Sequence, residues 1–238
     1  RQVFLSAGAE ESQIMAKLQP IATDMHALGN PWISYSVYLN NSFLPGLLQL
    51  MILLVTVFSI GSEMKRATSR EWLRTADDSI IIAITGKLIP QTIIFFSMGL
   101  LYLSLLYGYL HFPMHNSIWH MIFAMFLLVV ASQSFAVIIM CFAPSLRIGL
   151  SVGGLVGVLS LSIAGFSFPV PAMYLPFQAI SYVLPVRHYF LIYVDQALNG
   201  IPLYYSRVHY VALILFAVAS TPLLPRLKKA LMRQVYVP

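Results

Sequence analysis

Gly61-Ser-Glu-Met-Lys-Arg-Ala-Thr-Ser-Arg-Glu-Trp-Leu-Arg-Thr-Ala-Asp-Asp-Ser79 decides how the rest of the chain is read. Four basic residues (Lys65, Arg66, Arg70, Arg74) and four acidic ones (Glu63, Glu71, Asp77, Asp78) fall in this stretch, and the acidic four are half of the eight in the protein. Residues 43–60 before it carry no charge, and after it Lys87 alone interrupts residues 80–110. A charged segment held between two long apolar runs is well placed to pass force to something outside a membrane.

Composition agrees with that reading. The chain is 59% hydrophobic and 9% charged, with a mean hydropathy of +0.80, whereas soluble domains carry about 25% charged residues. Runs of eighteen or more nearly uncharged residues predict an all-α, polytopic helical membrane protein. A transmembrane barrel would show alternating segments of about 10 residues, and these runs do not alternate. The net charge of +6 is no sign of nucleic-acid binding, because membrane proteins gather basic residues in their cytoplasmic loops. The single cysteine, Cys141, cannot form an internal disulfide and reads as a small buried apolar residue. No Cys/His cluster has metal-ligand spacing.

Taken in order, residues 1–42 read as the end of an outward-facing extramembrane domain. Glu11 to Leu18 can form a short amphipathic helix, Asn30-Pro31 and Asn40-Asn41 mark turns, and Trp32, Tyr35 and Tyr38 suit the headgroup level. Residues 43–238 form the transmembrane domain, with five spans predicted at about 43–60, 80–110, 118–142, 148–165 and 208–224. Pro45-Gly46 falls in the first turn of the first span, where proline is tolerated. In the island, Thr68-Ser69 starts a short surface helix, and Asp77-Asp78-Ser79 caps the next one. Lys87 either snorkels to the near surface or contacts a substrate. Pro90 bends the second span.

The fourth span carries Gly149, Gly153 and Gly157, a doubled small-xxx-small pattern that lets backbones approach closely. It serves either packing within one subunit or a subunit–subunit seam. Residues 166–206 are Pro-rich (Pro169, Pro171, Pro176, Pro185, Pro202) and hold Arg187, His188 and Asp195 among aromatics. Two helices at about 172–182 and 186–198, each too short to cross a bilayer, predict a re-entrant or interfacial hairpin. Arg187 and Asp195 are expected to pair within it.

Five spans place the two ends of the chain on opposite sides. With 61–79 in the cytoplasm, that side holds nine basic residues (Lys65, Arg66, Arg70, Arg74, Arg147, Arg226, Lys228, Lys229, Arg233) against four on the other (Arg1, Lys17, Arg187, Arg207). The asymmetry follows the positive-inside rule.

Three functional classes compete. An intramembrane acyltransferase or protease would draw on His120, His188, His209, Ser132 and Ser134. Yet the chain has no Gly-x-Ser-x-Gly elbow and no His-Glu-x-x-His helix, and Asp195 is its one acidic residue after Asp78. A channel or secondary transporter would show inverted repeats and polar ion sites within its spans. The spans offer only generic polar groups: Gln91, Thr92, Ser104, Gln133 and Ser160. An ATP-driven permease would need a separate ATPase, since no Walker-type loop is present.

The third class also has a family resemblance. Asn40-Asn41 and Pro45-Gly46 lead into a span. Glu63 is followed by Thr68-Ser69-Arg70-Glu71-Trp72-Leu73, then by Gly86-Lys87 and Pro90. Ala164-Gly165-Phe166-Ser167-Phe168-Pro169 precedes Met173, Pro176, Ser181, Pro185 and Gly200. In order and spacing, over residues 38–235, this resembles the permease subunits of type-2 ABC exporters. Ala67 departs from the glycine that usually precedes Thr68 in that family. The family has six spans and begins with a cytoplasmic N-terminus, one span and a large outward domain, so the resemblance implies an N-terminally incomplete chain.

The resemblance further implies a permease dimer, of like or related subunits, on two cytoplasmic ATPase subunits, in the bacterial inner membrane. ATP and magnesium would be held by the ATPase, with no cofactor on this chain. Glu63, Arg66, Thr68, Arg70, Glu71, Trp72 and Arg74 would belong to the coupling helix. Pro169, Met173, Pro176, Pro185, Arg187 and Asp195 would belong to an outer gate. Membrane lipid and a periplasmic adaptor complete the implied partners.

Overall fold

The computed structural model describes residues 35–233. The expected helix at Glu11–Leu18, the Asn30-Pro31 turn and Trp32 lie outside the described residues. Nine α-helices run through the described chain: α1 (Tyr35–Lys65), α2 (Ser69–Thr75), α3 (Ile80–Leu103), α4 (Ile118–Phe142), α5 (Leu146–Ile163), α6 (Leu175–Tyr182), α7 (Pro185–Tyr193), α8 (Leu203–Val218) and α9 (Leu224–Arg233). A wide π turn extends α3 over Ser104–Tyr109, and another extends α7 over Val194–Leu198. Five segments are long and apolar enough to cross a membrane: Tyr35–Lys65, Ile80–Tyr109, Ile118–Phe142, Leu146–Ile163 and Leu203–Arg233.

α4 is the axis of the bundle. It packs against α1, α3, α5, α7, α8 and α9, and most of its length is buried, with Trp119, Phe123, Phe126 and Phe142 left on an exposed apolar edge. Its bounds are those read from the sequence, because Ser117 and the Ala143-Pro144 turn punctuate an uninterrupted apolar run. Two apolar cores flank its midpoint. Leu53, Val57, Leu73, Ala136, Met140, Leu227 and Leu231 pack at the island end. Met121, Met125, Leu128, Tyr189 and Tyr193 pack at the hairpin end.

The first span begins earlier than expected. Asn40-Asn41 forms no turn: both residues are helical, and the Asn41 amide donates to the Val37 carbonyl at 2.9 Å. The Asn41 side-chain oxygen accepts from the Tyr107 hydroxyl at 3.0 Å, so a turn-forming residue is held helical by a tertiary partner. Pro45 accordingly lies inside α1 and not in its first turn. At its other end α1 runs on through Gly61–Lys65, the first residues of the island.

The last span also differs. Its helix begins at Leu203 and is interrupted by a 3-10 turn at Thr221–Leu223, where Pro222 cannot donate to the helical ladder. Beyond that turn, the stretch with Arg226, Lys228, Lys229 and Arg233, counted in the sequence only for its charge, is the amphipathic helix α9.

The glycine stripe of α5 rests on α1 of the same chain. A Cβ built on Gly157 would lie 2.3 Å from the Leu50 Cδ1 and 3.2 Å from its Cα; one on Gly149 would lie 2.9 Å from Val57. All three stripe glycines are buried. The reading of Gly149, Gly153 and Gly157 as a subunit seam therefore gives way to packing within the subunit. At the two ends of the same contact, Gly61 meets Leu146 and Gly46 meets Leu161.

Candidate functional site: the island end

The island folds as a tight loop between two spans. Ala67 adopts φ 59°, a left-handed conformation that favours glycine. This gives a physical reason for the glycine usual at that point in the resembled family. Thr68 precedes α2 as its N-cap residue, and Ser79 caps α3 by accepting from the Ile82 N–H at 3.5 Å.

Glu63 and Lys87 clamp the loop. The Lys87 ammonium lies 2.5 Å from the Glu63 carboxylate and donates to the Ser59 carbonyl at 2.9 Å. The Thr68 hydroxyl donates to the same carboxylate. Lys87 also sits 4.3 Å above the centre of the Trp72 ring, a cation–π contact. One ammonium thus joins α1, α2 and α3. Lys87 is therefore a structural clamp in this arrangement, and not a side chain reaching freely to the surface.

Trp72 and Leu73 point inward. Leu73 is fully buried and Trp72 packs against the island-end core. Their apolar contact is thus made within the chain. Arg70, Glu71 and Arg74 remain on the exposed face of α2, with Lys65 and Arg66 beside it.

α9 completes the platform and was missed from sequence. Leu224, Leu227 and Leu231 bury one face of it against Leu73 and the cores of α3 and α4. Lys228 donates to the Asp78 carbonyl at 2.6 Å, and Arg70 donates to the Met232 carbonyl at 3.3 Å. The signal was present: leucines three and four apart between Arg226, Lys228, Lys229 and Arg233 mark one apolar helical stripe.

At the opposite end, α6 and α7 form the expected short hairpin. Arg187 and Asp195 do not pair. Arg187 donates to the Ala164 carbonyl at 3.2 Å and lies over the Tyr182 ring, while Asp195 accepts from the Ser206 hydroxyl at 2.9 Å. Gly165, at φ 103°, keeps room for that guanidinium: a Cβ there would lie 2.8 Å from it. Asn116 and Gln196 bind each other and the Ile201 carbonyl, closing the base of the hairpin. Pro176 and Pro185 start α6 and α7 within their first turns. Pro169 precedes a 3-10 turn over Val170–Ala172, and Met173 follows it.

The polar groups within the spans serve packing. Gln49 donates to Ser160 at 3.0 Å and accepts from the Val186 N–H at 2.8 Å, tying α1, α5 and α7. Thr56 pairs with Gln91 and Thr92 with Gln133. Of the groups an enzyme would use, His188 meets His209, Ser134 meets Ser220, and Ser132 bonds its own helix at Leu128.

The family model for ABC-2 family transporter proteins matches residues 4–224. No curated protein and no solved structure matches the chain significantly. With the family model covering most of the chain, and five membrane-long helices carrying a charged helix clamped between two of them, the chain belongs to the ABC-2 transporter family, as a multi-pass membrane permease component of an ABC transporter.

Proposed function

We propose that the chain is the translocation subunit of an ATP-driven exporter. It works as a dimer, of like or related subunits, and docks through α2 on cytoplasmic ATPase subunits that hold ATP and magnesium. The observation that carries this reading is the Lys87 clamp. A helix that is exposed on one face and fixed on the other to two spans moves those spans when a partner moves it. The basic asymmetry of the sequence supports placing the island in the cytoplasm of a bacterial inner membrane. The α6–α7 hairpin then faces outward as a gate, with Pro169, Met173, Pro176, Pro185, Arg187 and Asp195 in its frame.

The inward position of Trp72 selects the test. Glu71→Lys with Arg74→Glu changes only the exposed face of α2, where a partner would bind. The double variant is expected to insert and fold like the parent, yet to lose both copurification with an ATPase subunit from native membranes and stimulation of its ATP hydrolysis. Unchanged copurification and stimulation would show that α2 is not the docking helix.

A further inference from the structure

α1, the α4–α5 turn and α9 leave a groove of about 460 Å³ between them at the island end. Its floor is apolar, with Met64, Phe142, Pro144 and Ile148 among its lining residues. Phe142 and Ile148 are each more than half exposed. Its rim is cationic. Arg233 lines it. The Arg226 guanidinium lies 4.6 Å from the centre of the Phe142 ring. Arg147 is exposed between Ser145 and Ile148, both of which line the groove. Its described lining residues include no carboxylate. The nearby Glu63 is engaged by Lys87 and Thr68.

We propose that this groove holds one anionic glycerophospholipid. Its acyl chain lies along Phe142 and Ile148, and its phosphate meets Arg226, Arg233 and Arg147. The two halves of the site set the ligand class. A free phosphate satisfies the guanidiniums but leaves the apolar floor uncovered. A zwitterionic lipid covers the floor but brings its own cation to an arginine rim. An anionic lipid answers both, and basic pockets between membrane helices recognise such headgroups. The groove also lies where α1 reaches its charged end at Lys65, where Arg147 follows α4 and where α9 carries its basic residues, the depth at which a headgroup sits. The site does not depend on which way the permease faces or on what it carries.

Native mass spectrometry of the purified full chain tests this, with phosphatidylglycerol and phosphatidylcholine of matched acyl chains as probes. The parent should retain phosphatidylglycerol at least about tenfold better than phosphatidylcholine, since each arginine near an anionic headgroup contributes about 1 kcal/mol. Arg147→Gln, Arg226→Gln and Arg233→Gln together should abolish that preference, whereas Arg207→Gln at the other end of the bundle should preserve it. Ala230→Trp, which fills the groove without removing charge, should reduce retention of both lipids, with the thermal unfolding midpoint reporting that the chain is still folded. The proposal is overturned if the triple variant keeps the parent's preference or if Ala230→Trp retains phosphatidylglycerol as the parent does. Displacement of the lipid by sn-glycerol 3-phosphate at equal concentration would also overturn it, by reducing the site to a free-anion site.

Discussion

The two ends of the permease each hold helices too short to cross a membrane, and they fix them by different means. At the island end the fastener is charge: Glu63 with Lys87, braced by Thr68 and Trp72. At the hairpin end it is neutral: the Gln49 amide receives the Val186 N–H and reaches Ser160, and even Arg187 is met by a backbone carbonyl. Exposure accounts for the difference. The Lys87 and Glu63 side chains are 22% and 23% exposed, so both charges stay partly solvated, while Gln49 is 1% exposed. Desolvating an ion pair fully is expensive, whereas a buried amide with both its oxygen and its nitrogen engaged is not. On the function proposed above, the charged fastener suits an end that moves against a partner, and the neutral one suits a helix seated in the protein's interior.

The glycine seam between α1 and α5 joins these ends, so breaking it should have the largest effect. Gly157→Leu forces side-chain atoms into Leu50 and its backbone, and should cost about 3 kcal/mol by overpacking. Gly153 sharpens the point. Its nearest neighbour to a built Cβ is Val57 at 3.7 Å, an ordinary contact. Gly153→Ala should therefore be neutral or slightly stabilising, since alanine is the better helix former by up to about 1 kcal/mol. Unfolding of both variants in mixed micelles checks the contrast. Equal destabilisation would mean that the seam is uniformly tight and that the spacing at Gly157 is nothing special.

The two fasteners come next. Lys87→Met leaves the Glu63 carboxylate with the Thr68 hydroxyl and the more distant Arg66 charge, and should cost about 2 kcal/mol, the scale of a lost hydrogen bond to a charged group. Gln49→Leu leaves the buried Val186 N–H without its acceptor and should cost about 1.5 kcal/mol. Their consequences should separate. Protease cutting within 61–79 should accelerate in Lys87→Met and not in Gln49→Leu, because the clamp holds the island loop and the amide holds α7. Accelerated cutting in both would mean that the ends are one cooperative unit.

Much of this architecture was legible from sequence because single segments set it. The ends of α4 follow from Ser117 and Pro144, and the split of residues 166–206 into two short helices follows from its prolines. Ala67 stood out in the sequence only as a departure from a usual glycine, and its left-handed conformation came from the structure. What was not legible depends on neighbours distant in the chain. Asn40-Asn41 has turn chemistry, and Tyr107 overrides it. Lys87 had two readings because its partners, Ser59, Glu63 and Trp72, come from other elements. Gly149, Gly153 and Gly157 announced close packing without naming the helix they meet. The four basic residues after Arg207 entered the sequence reading as charge alone, and the leucine stripe of α9 between them was passed over.

The smallest expected effect tests the pairing that sequence favoured and the structure does not contain. Arg187 and Asp195 lie eight residues apart in a segment with no other charges, which made an ion pair the economical reading. Each instead has its own neutral partner, Ala164 for the guanidinium and Ser206 for the carboxylate. If they paired, each single substitution would strand the other charge, and a double-mutant cycle would show strong coupling, on the order of 1 kcal/mol or more. With separate partners, Asp195→Asn keeps an oxygen to accept the Ser206 hydroxyl and should change stability by less than about 0.5 kcal/mol. Arg187→Gln keeps a donor for the Ala164 carbonyl but loses the contact over Tyr182, and should cost about 1 kcal/mol. Their coupling should stay below about 0.5 kcal/mol, because their hydrogen-bond partners differ and what they share is the nearby His209 ring. A coupling above about 1 kcal/mol would restore the ion pair. The hairpin end would then be fastened by charge as the island end is, and the contrast between the two ends would fail.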